Sequence, residues 1–187
     1  MAKLRGKNKA VFIDRDGTVI HERNYLSKLK DIKIFSGAVK GLKLLRESGF
    51  KTILVTNQSA IARGYLTEKK LRKIHARLQE LLKRKGVAFD GIYYCRHLPG
   101  DGCLCRKPGT GMVKAAARRF KIDLKKSFTI GDHVNDFLLG KNMGGKAVFL
   151  LTGHGREEFG KIKKTGKRPD SIEPNFLKGV KWILGQE

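Results

Sequence analysis

Acidic residues are scarce in this chain. Its 187 residues hold 17 Asp and Glu against 41 Lys and Arg, a formal charge of +24 at pH 7. Such a field draws phosphates, nucleic acids and anionic surfaces, and it excludes a preference for cationic partners at long range. Cysteine is scarcer still: three residues, all within 95–105, an odd and clustered set that cannot frame a disulfide scaffold. No apolar run approaches the roughly 18 residues of a membrane span. The segment MAKLRGKNKA leads into a strand-like stretch rather than a signal-peptide core, so the expected location is cytoplasmic. Aromatic residues make up 8% and do not interleave with the basic clusters at 68–73, 83–85, 118–121 and 161–164. Stacking on single-stranded nucleic acid would favour such interleaving. The basic balance is therefore read first as a solvated face around an anionic substrate, with nucleic acid the weaker reading.

What is present is a core-sized apolar fraction, 40%, enough for one domain over residues 1–187. Apolar runs at 10–13, 51–56, 90–95, 126–132 and 146–153 read as strands. Between them, helical spacing of apolar residues marks 37–48, a segment from a Thr67 N-cap to near Gly86, 111–120 and 134–144. Strands alternating with helices predict an α/β fold, a parallel sheet covered on both faces with its chemistry at the carboxyl ends of the strands. The segment 155–170, rich in Lys and Gly, is expected as an exposed basic loop. The final stretch resumes an apolar pattern and is expected to pack back on the sheet.

Two acidic pairs stand at predicted strand ends: Asp14 and Asp16, before a Gly17-Thr18 turn, and Asp132 and Asp136 in GDHVND. Carboxylates converging from two strands suit a hard cation, magnesium, which takes one or two carboxylates, waters and a substrate phosphate. Between the pairs lie two phosphate-type elements. Thr56, Asn57, Gln58 and Ser59 follow the second strand with hydroxyl and amide donors. Arg106 and Lys107, in CRKPG, supply a bidentate fork and a point charge. Cys95, His97, Cys103 and Cys105 follow C-x-H-x5-C-x-C. Three thiols and one imidazole make a closed tetrahedral zinc site, which would fix the loop carrying Arg106 and Lys107.

This ordered set, DRDGT, TNQS, CRKPG and GDHVND, resembles the haloacid dehalogenase (HAD) superfamily of phosphatases over roughly residues 10–153. The form DRDGT and the cysteine loop are similar to the subgroup that acts on heptose 1,7-bisphosphate or on histidinol phosphate. The resemblance implies a Rossmann-like HAD fold with a minimal cap and a zinc-binding loop. It implies a phosphoric monoester hydrolase acting on a small phosphorylated substrate; a monomer is the expected state. Asp14 would be the nucleophile, forming an aspartyl-phosphate, and Asp16 the acid and then the base. Magnesium would rest on Asp14, the Asp16 backbone carbonyl and Asp132, with Asp136 supporting that shell. Thr56 and Lys107 would neutralise the transferring phosphoryl group.

The stretch TNQSAIARG is similar to the heptose-bisphosphate enzymes, with Ala60 where they carry Gly. ERNY keeps their Glu22 and Tyr25 as substrate contacts but puts Asn24 for Gly, a residue that tolerates the left-handed turn. Glu22 could equally meet the amine of histidinol phosphate, which keeps that substrate as the alternative; a nucleic-acid 3′-phosphatase or a polyanion-binding protein on the same scaffold is the weaker one. His133 stands where the heptose enzymes carry Lys, so it is expected either as a titrating phosphate contact or as a hydrogen-bonding neighbour of Asp132. His21, His75 and His154 are read as surface or structural residues.

Overall fold

The computed structural model describes residues 7–23 and 25–186; Asn24 lies outside them. Six parallel strands form the sheet: β1 Ala10–Ile13, β2 Lys51–Asn57, β3 Gly91–Cys95, β4 Phe128–Gly131, β5 Lys146–Leu150 and β6 Ser171–Glu173. Their spatial order is β3-β2-β1-β4-β5-β6. The chain builds outward from β1 through β2 and β3, then returns to place β4 on the other side of β1. The crevice between β1 and β4 is thus where the winding reverses, the place where open α/β sheets bind their ligands.

Alternation along β1 explains the two layers. Val11 and Ile13 enter one core with Leu54, Ile130 and Val148. It is closed by Leu42 and Leu45 of α1 (Ala38–Glu47), Leu71, Ile74 and Leu78 of α2 (Glu68–Lys83), and Val180 and Ile183 of α6 (Phe176–Leu184). Ala10 and Phe12 point the other way, with Ile53 and Val55, onto Met112, Val113 and Ala116 of α3 (Gly111–Phe120) and Leu139 of α4 (Val134–Asn142). These strands are buried on both faces, as continuous apolar runs of parallel strands require. Thr67 caps α2 as the sequence indicates, its side chain accepting from the Lys70 N–H at 3.2 Å.

Two segments differ from expectation. Residues 155–170 are not a loop: α5 spans Gly155–Ile162, followed by a 3-10 turn at Lys163–Thr165. Gly155 and Gly160 lower the helix propensity that sequence reading weighs. The helix holds because Glu157 and Glu158 sit in its first turn, Lys161 in its last, and Ile162 packs against Phe137 and Phe149. The second difference is β6, three residues ahead of α6, too short for a strand period to show.

No helix among the described residues is long and apolar enough to cross a membrane.

Candidate active site

The strand ends converge on a cavity of about 400 Å³. Among its lining residues are Asp14, Asp16, Glu22, Tyr25, Thr56, Asn57, Gln58, Ser59, Arg106, Lys107, Asp132, His133 and Asp136, every substrate and acidic residue singled out from sequence. Arg15, Arg23, Asn135 and His154 line it as well.

Asp14 and Asp132 follow adjacent strands, so they face each other across one strand spacing. Oxygens of Asp14, Asp132 and Asp136 all lie within 4.8 Å of one another, and all three residues are buried. Asp132 accepts from the Thr18 hydroxyl at 3.2 Å and the His154 N–H at 2.8 Å. The fit is tight: a Cβ on Gly17, whose φ is +72°, would stand 2.1 Å from Asp132 Oδ2, and one on Gly153 would stand 2.2 Å from the same oxygen. Only glycine allows the turn after Asp16 and this approach together. Buried Lys107 is the cation among the three carboxylates; its Nζ donates to Asp14 Oδ1, to Asp136 Oδ1 at 2.6 Å and to the Val55 carbonyl at 3.0 Å.

One lysine does not balance three buried carboxylates. Burial, with like charges nearby, pushes Asp14 up to about 7 and Asp132 up to about 8. An all-oxygen set carrying surplus negative charge fits a hard divalent cation. Asp136 is held on both oxygens, since its Oδ2 also accepts the His133 backbone N–H at 3.0 Å in the capping box of α4.

Three residues expected as phosphate contacts are committed elsewhere. Asn57 exchanges both amide atoms with the Lys107 backbone, at 3.0 and 3.2 Å, and so clips the segment after the cysteine loop to β2. Gln58 donates to Asp16 Oδ2 at 3.1 Å and to Thr56 Oγ1 at 2.8 Å, while its Oε1 accepts from Arg15. Thr56 therefore keeps its hydroxyl proton to give. His133 caps α4: its Nδ1 accepts from the Asn135 N–H, its Nε2 lies 3.4 Å from Glu158 Oε2, and burial holds its pKa below the ordinary value. The ring's partners are thus the Asn135 N–H and Glu158, not Asp132. Glu158 belongs to the stretch read as a loop, which hid this pairing.

Sequence reading missed Arg15. Its side chain is 2% exposed. Nε and Nη2 reach Asp16 Oδ2 at 3.0 and 2.7 Å, Nη2 also reaches Gln58 Oε1 at 3.1 Å, and Nη1 reaches His75 Nε2 at 3.1 Å. His75 is thereby a buried structural residue, while His154, expected at the surface or as structure, stands at the cavity and gives its backbone N–H to the site. Desolvation and the Arg15 charge push His75 down to about 3. The folded protein then binds fewer protons at His75 than the unfolded chain, whose imidazole titrates near 6.5. Stability from this residue is whole above pH 7 and falls as pH drops through 6.5 toward 3. Between pH 7 and pH 5 the loss is about 2 kcal/mol. The raised Asp14 and Asp132 carboxyls titrate with the opposite sign over the same range in any variant, so the His75 share is read as a difference: by urea unfolding, the change in stability from pH 7 to pH 5 should differ by about 2 kcal/mol between the unchanged protein and His75→Gln, the unchanged protein losing more or gaining less.

Beside the cavity, the cysteine loop gathers four soft donors. Sulfur separations are 3.4 Å (Cys95–Cys105) and 3.6 Å (Cys95–Cys103 and Cys103–Cys105), and His97 Nδ1 lies 3.5 and 3.3 Å from Cys95 and Cys105. A tetrahedron with metal–sulfur bonds of about 2.3 Å has edges of roughly 3.7 Å, so the donors suit zinc. Burial pushes the Cys95 thiol up to about 12, a protonated state that a bound cation would reverse. Arg106 donates to the His97 carbonyl at 3.1 Å, joining this loop to the cavity.

Comparison with known proteins agrees with this geometry. Residues 104–178 match the HAD-hydrolase-like family model. Over 146 residues the chain is 44% identical to the D-glycero-beta-D-manno-heptose-1,7-bisphosphate 7-phosphatase of Helicobacter pylori strain J99, covering 78% of this chain and 84% of that protein. Over 161 residues it is 40% identical to the D-glycero-alpha-D-manno-heptose-1,7-bisphosphate 7-phosphatase of Photorhabdus laumondii, covering 81% and 87%. The crystal structure of D,D-heptose 1,7-bisphosphate phosphatase from B. bronchiseptica, complexed with magnesium and phosphate, is similar with a TM-score of 0.84 at 28% identity, covering 96% of this chain and 99% of that one.

Proposed function

Because the chain belongs to the HAD-like hydrolases, in the subgroup that contains the heptose-1,7-bisphosphate 7-phosphatases, we propose that it removes the phosphate at carbon 7 of a D-glycero-D-manno-heptose 1,7-bisphosphate. The likeness to relatives so named, over more than four fifths of their lengths, carries this reading. A cavity with Arg23 and Arg106 among its lining supports a substrate with a second phosphate.

In this reading the Asp14 carboxylate attacks phosphorus and the bond from phosphorus to the C7 oxygen breaks. The leaving alkoxide takes a proton from the Asp16 carboxyl group. Water then attacks the aspartyl-phosphate, its proton returns to Asp16, and inorganic phosphate leaves with Asp14 restored. Lys107 and the Thr56 hydroxyl face the charge on the transferring group. Magnesium, held by Asp14, Asp132 and the Asp16 carbonyl, would supply positive charge against the phosphoryl oxygens.

The deciding measurement is kcat/KM for phosphate release, with magnesium, on the alpha and beta heptose bisphosphates and on histidinol phosphate. A preference for either heptose of about a hundredfold, roughly 2.7 kcal/mol, is expected. The reverse preference would overturn the substrate and turn attention to Glu22 as an amine contact.

Zinc on Cys95, His97, Cys103 and Cys105 is read as structural. Its removal by a strong chelator, followed by return to magnesium buffer, is expected to lower Tm by about 10 °C, roughly 4 kcal/mol for a chain of this size. KM should rise as Arg106 and Lys107 loosen, and both changes should reverse on adding zinc. An unchanged Tm would leave the loop without a metal.

A further inference from the structure

We propose that Arg15 and His75 are positioning residues for the proton-carrying carboxylate of Asp16, holding it in one orientation at the cavity. The proposal rests on the phosphatase reading in which Asp16 moves the proton.

The geometry is one-sided. Asp16 Oδ2 receives hydrogen bonds from Arg15 Nε at 3.0 Å and Gln58 Nε2 at 3.1 Å, and Arg15 Nη2 stands 2.7 Å away in the ion pair. Asp16 Oδ1 is buried and, among the described residues, has no hydrogen-bond partner. A carboxylate held in this way cannot rotate without giving up two hydrogen bonds and the ion pair, so it keeps one orientation. The side chain lines the cavity, where the leaving-group oxygen and later the attacking water need a single, fixed proton site.

Arg15 is in turn held from behind. Its Nη1 has His75 Nε2 as acceptor at 3.1 Å, 60 residues away on the inner face of α2. Arginine only donates, so Nε2 must be the bare nitrogen and the ring proton sits on Nδ1. The low His75 pKa fits that neutral form. Stability alone does not account for the arrangement. A buried ion pair gains little over apolar filling of similar volume, and Arg15 is among the largest fully buried side chains here.

The test separates proton donation from folding through the leaving group. Phosphate esters of good acids, such as 4-nitrophenyl phosphate, need no proton as they depart; phenyl and alkyl esters do. In the unchanged protein kcat/KM should vary little from 4-nitrophenyl to phenyl phosphate. In Arg15→Lys, which keeps the charge and loses the fork, the phenyl ester should slow by about a hundredfold and the nitrophenyl ester by about threefold at most. His75→Leu should slow the phenyl ester about tenfold with the same selectivity, and His75→Gln, whose amide oxygen can accept, should recover most of it. If Arg15→Lys fails to fold, judged by circular dichroism and Tm, the two His75 variants decide. Equal losses on both esters, or no loss, would overturn the proposal. Heptose 1,7-bisphosphate, assayed alongside, keeps the substrate question apart. If the unchanged protein spares it yet cleaves the aryl esters, the substrate reading falls while the aryl comparison still judges Arg15 and His75. Cleavage of no ester removes both.

Discussion

Asp14→Asn is expected to lower kcat/KM for phosphate release by at least about 10⁴-fold while Tm moves by no more than about 3 °C. An amide oxygen is a poor nucleophile, and attack by it yields no stable acyl phosphate, so the covalent route closes. The fold has reason to tolerate the change. Lys107 retains Asp136 and the Val55 carbonyl as partners, and the amide keeps the shape of the carboxylate in its buried seat. Steady-state kinetics and a thermal melt on one preparation give both numbers. Full activity in the variant would end the assignment of Asp14 as nucleophile.

Lys107→Met should have a large effect of another kind, on stability as well as rate. Lys107 contacts two of the three converging carboxylates directly, and its side chain is 4% exposed. Removing it leaves Asp14 and Asp136 facing each other uncompensated, a change that costs about 3–5 kcal/mol. For a chain of this length that is a fall in Tm of about 10 °C. Magnesium should restore part of the loss, so the dependence of Tm on magnesium should be steeper in the variant than in the unchanged protein. Activity should drop about 10³-fold, since the cation facing the transferring phosphoryl group is gone. Lys107→Arg should not rescue it: a planar fork cannot place one nitrogen against two carboxylates and the Val55 carbonyl. An unaltered melt would mean the three carboxylates do not depend on Lys107 for charge.

What the sequence made legible is what strand ends make legible. Asp14, Asp132 and Thr56 each follow an apolar run, and parallel strands bring such residues to one edge whatever the helices do between them. Lys107 could be read from its place after the cysteine loop. The commitments of side chains could not. An Asn or Gln at a strand end can face a phosphate or a backbone with equal chemistry, and only packing shows that Asn57 holds Lys107 and Gln58 holds Asp16. Arg15 was hidden between two aspartates that account for the motif without it, and its partner His75 carries no periodic signal beyond being one apolar-face position of α2. Glu158 was lost with α5, whose two glycines obscured a helix stabilised by its end charges and Ile162.

The two borders of the sheet bear on how the protein behaves when crowded or heated. An open strand edge is a template for another chain, and parallel sheets fold slowly enough to expose theirs. Here the borders are short: five residues in β3, which run straight into the cysteine loop, and three in β6, set between Pro169 and Pro174. Proline has no amide hydrogen to offer, so β6 cannot be lengthened from either end into a ribbon. With a surface of one dominant sign repelling like copies, pairing along the β6 edge is opposed by geometry and by charge at once.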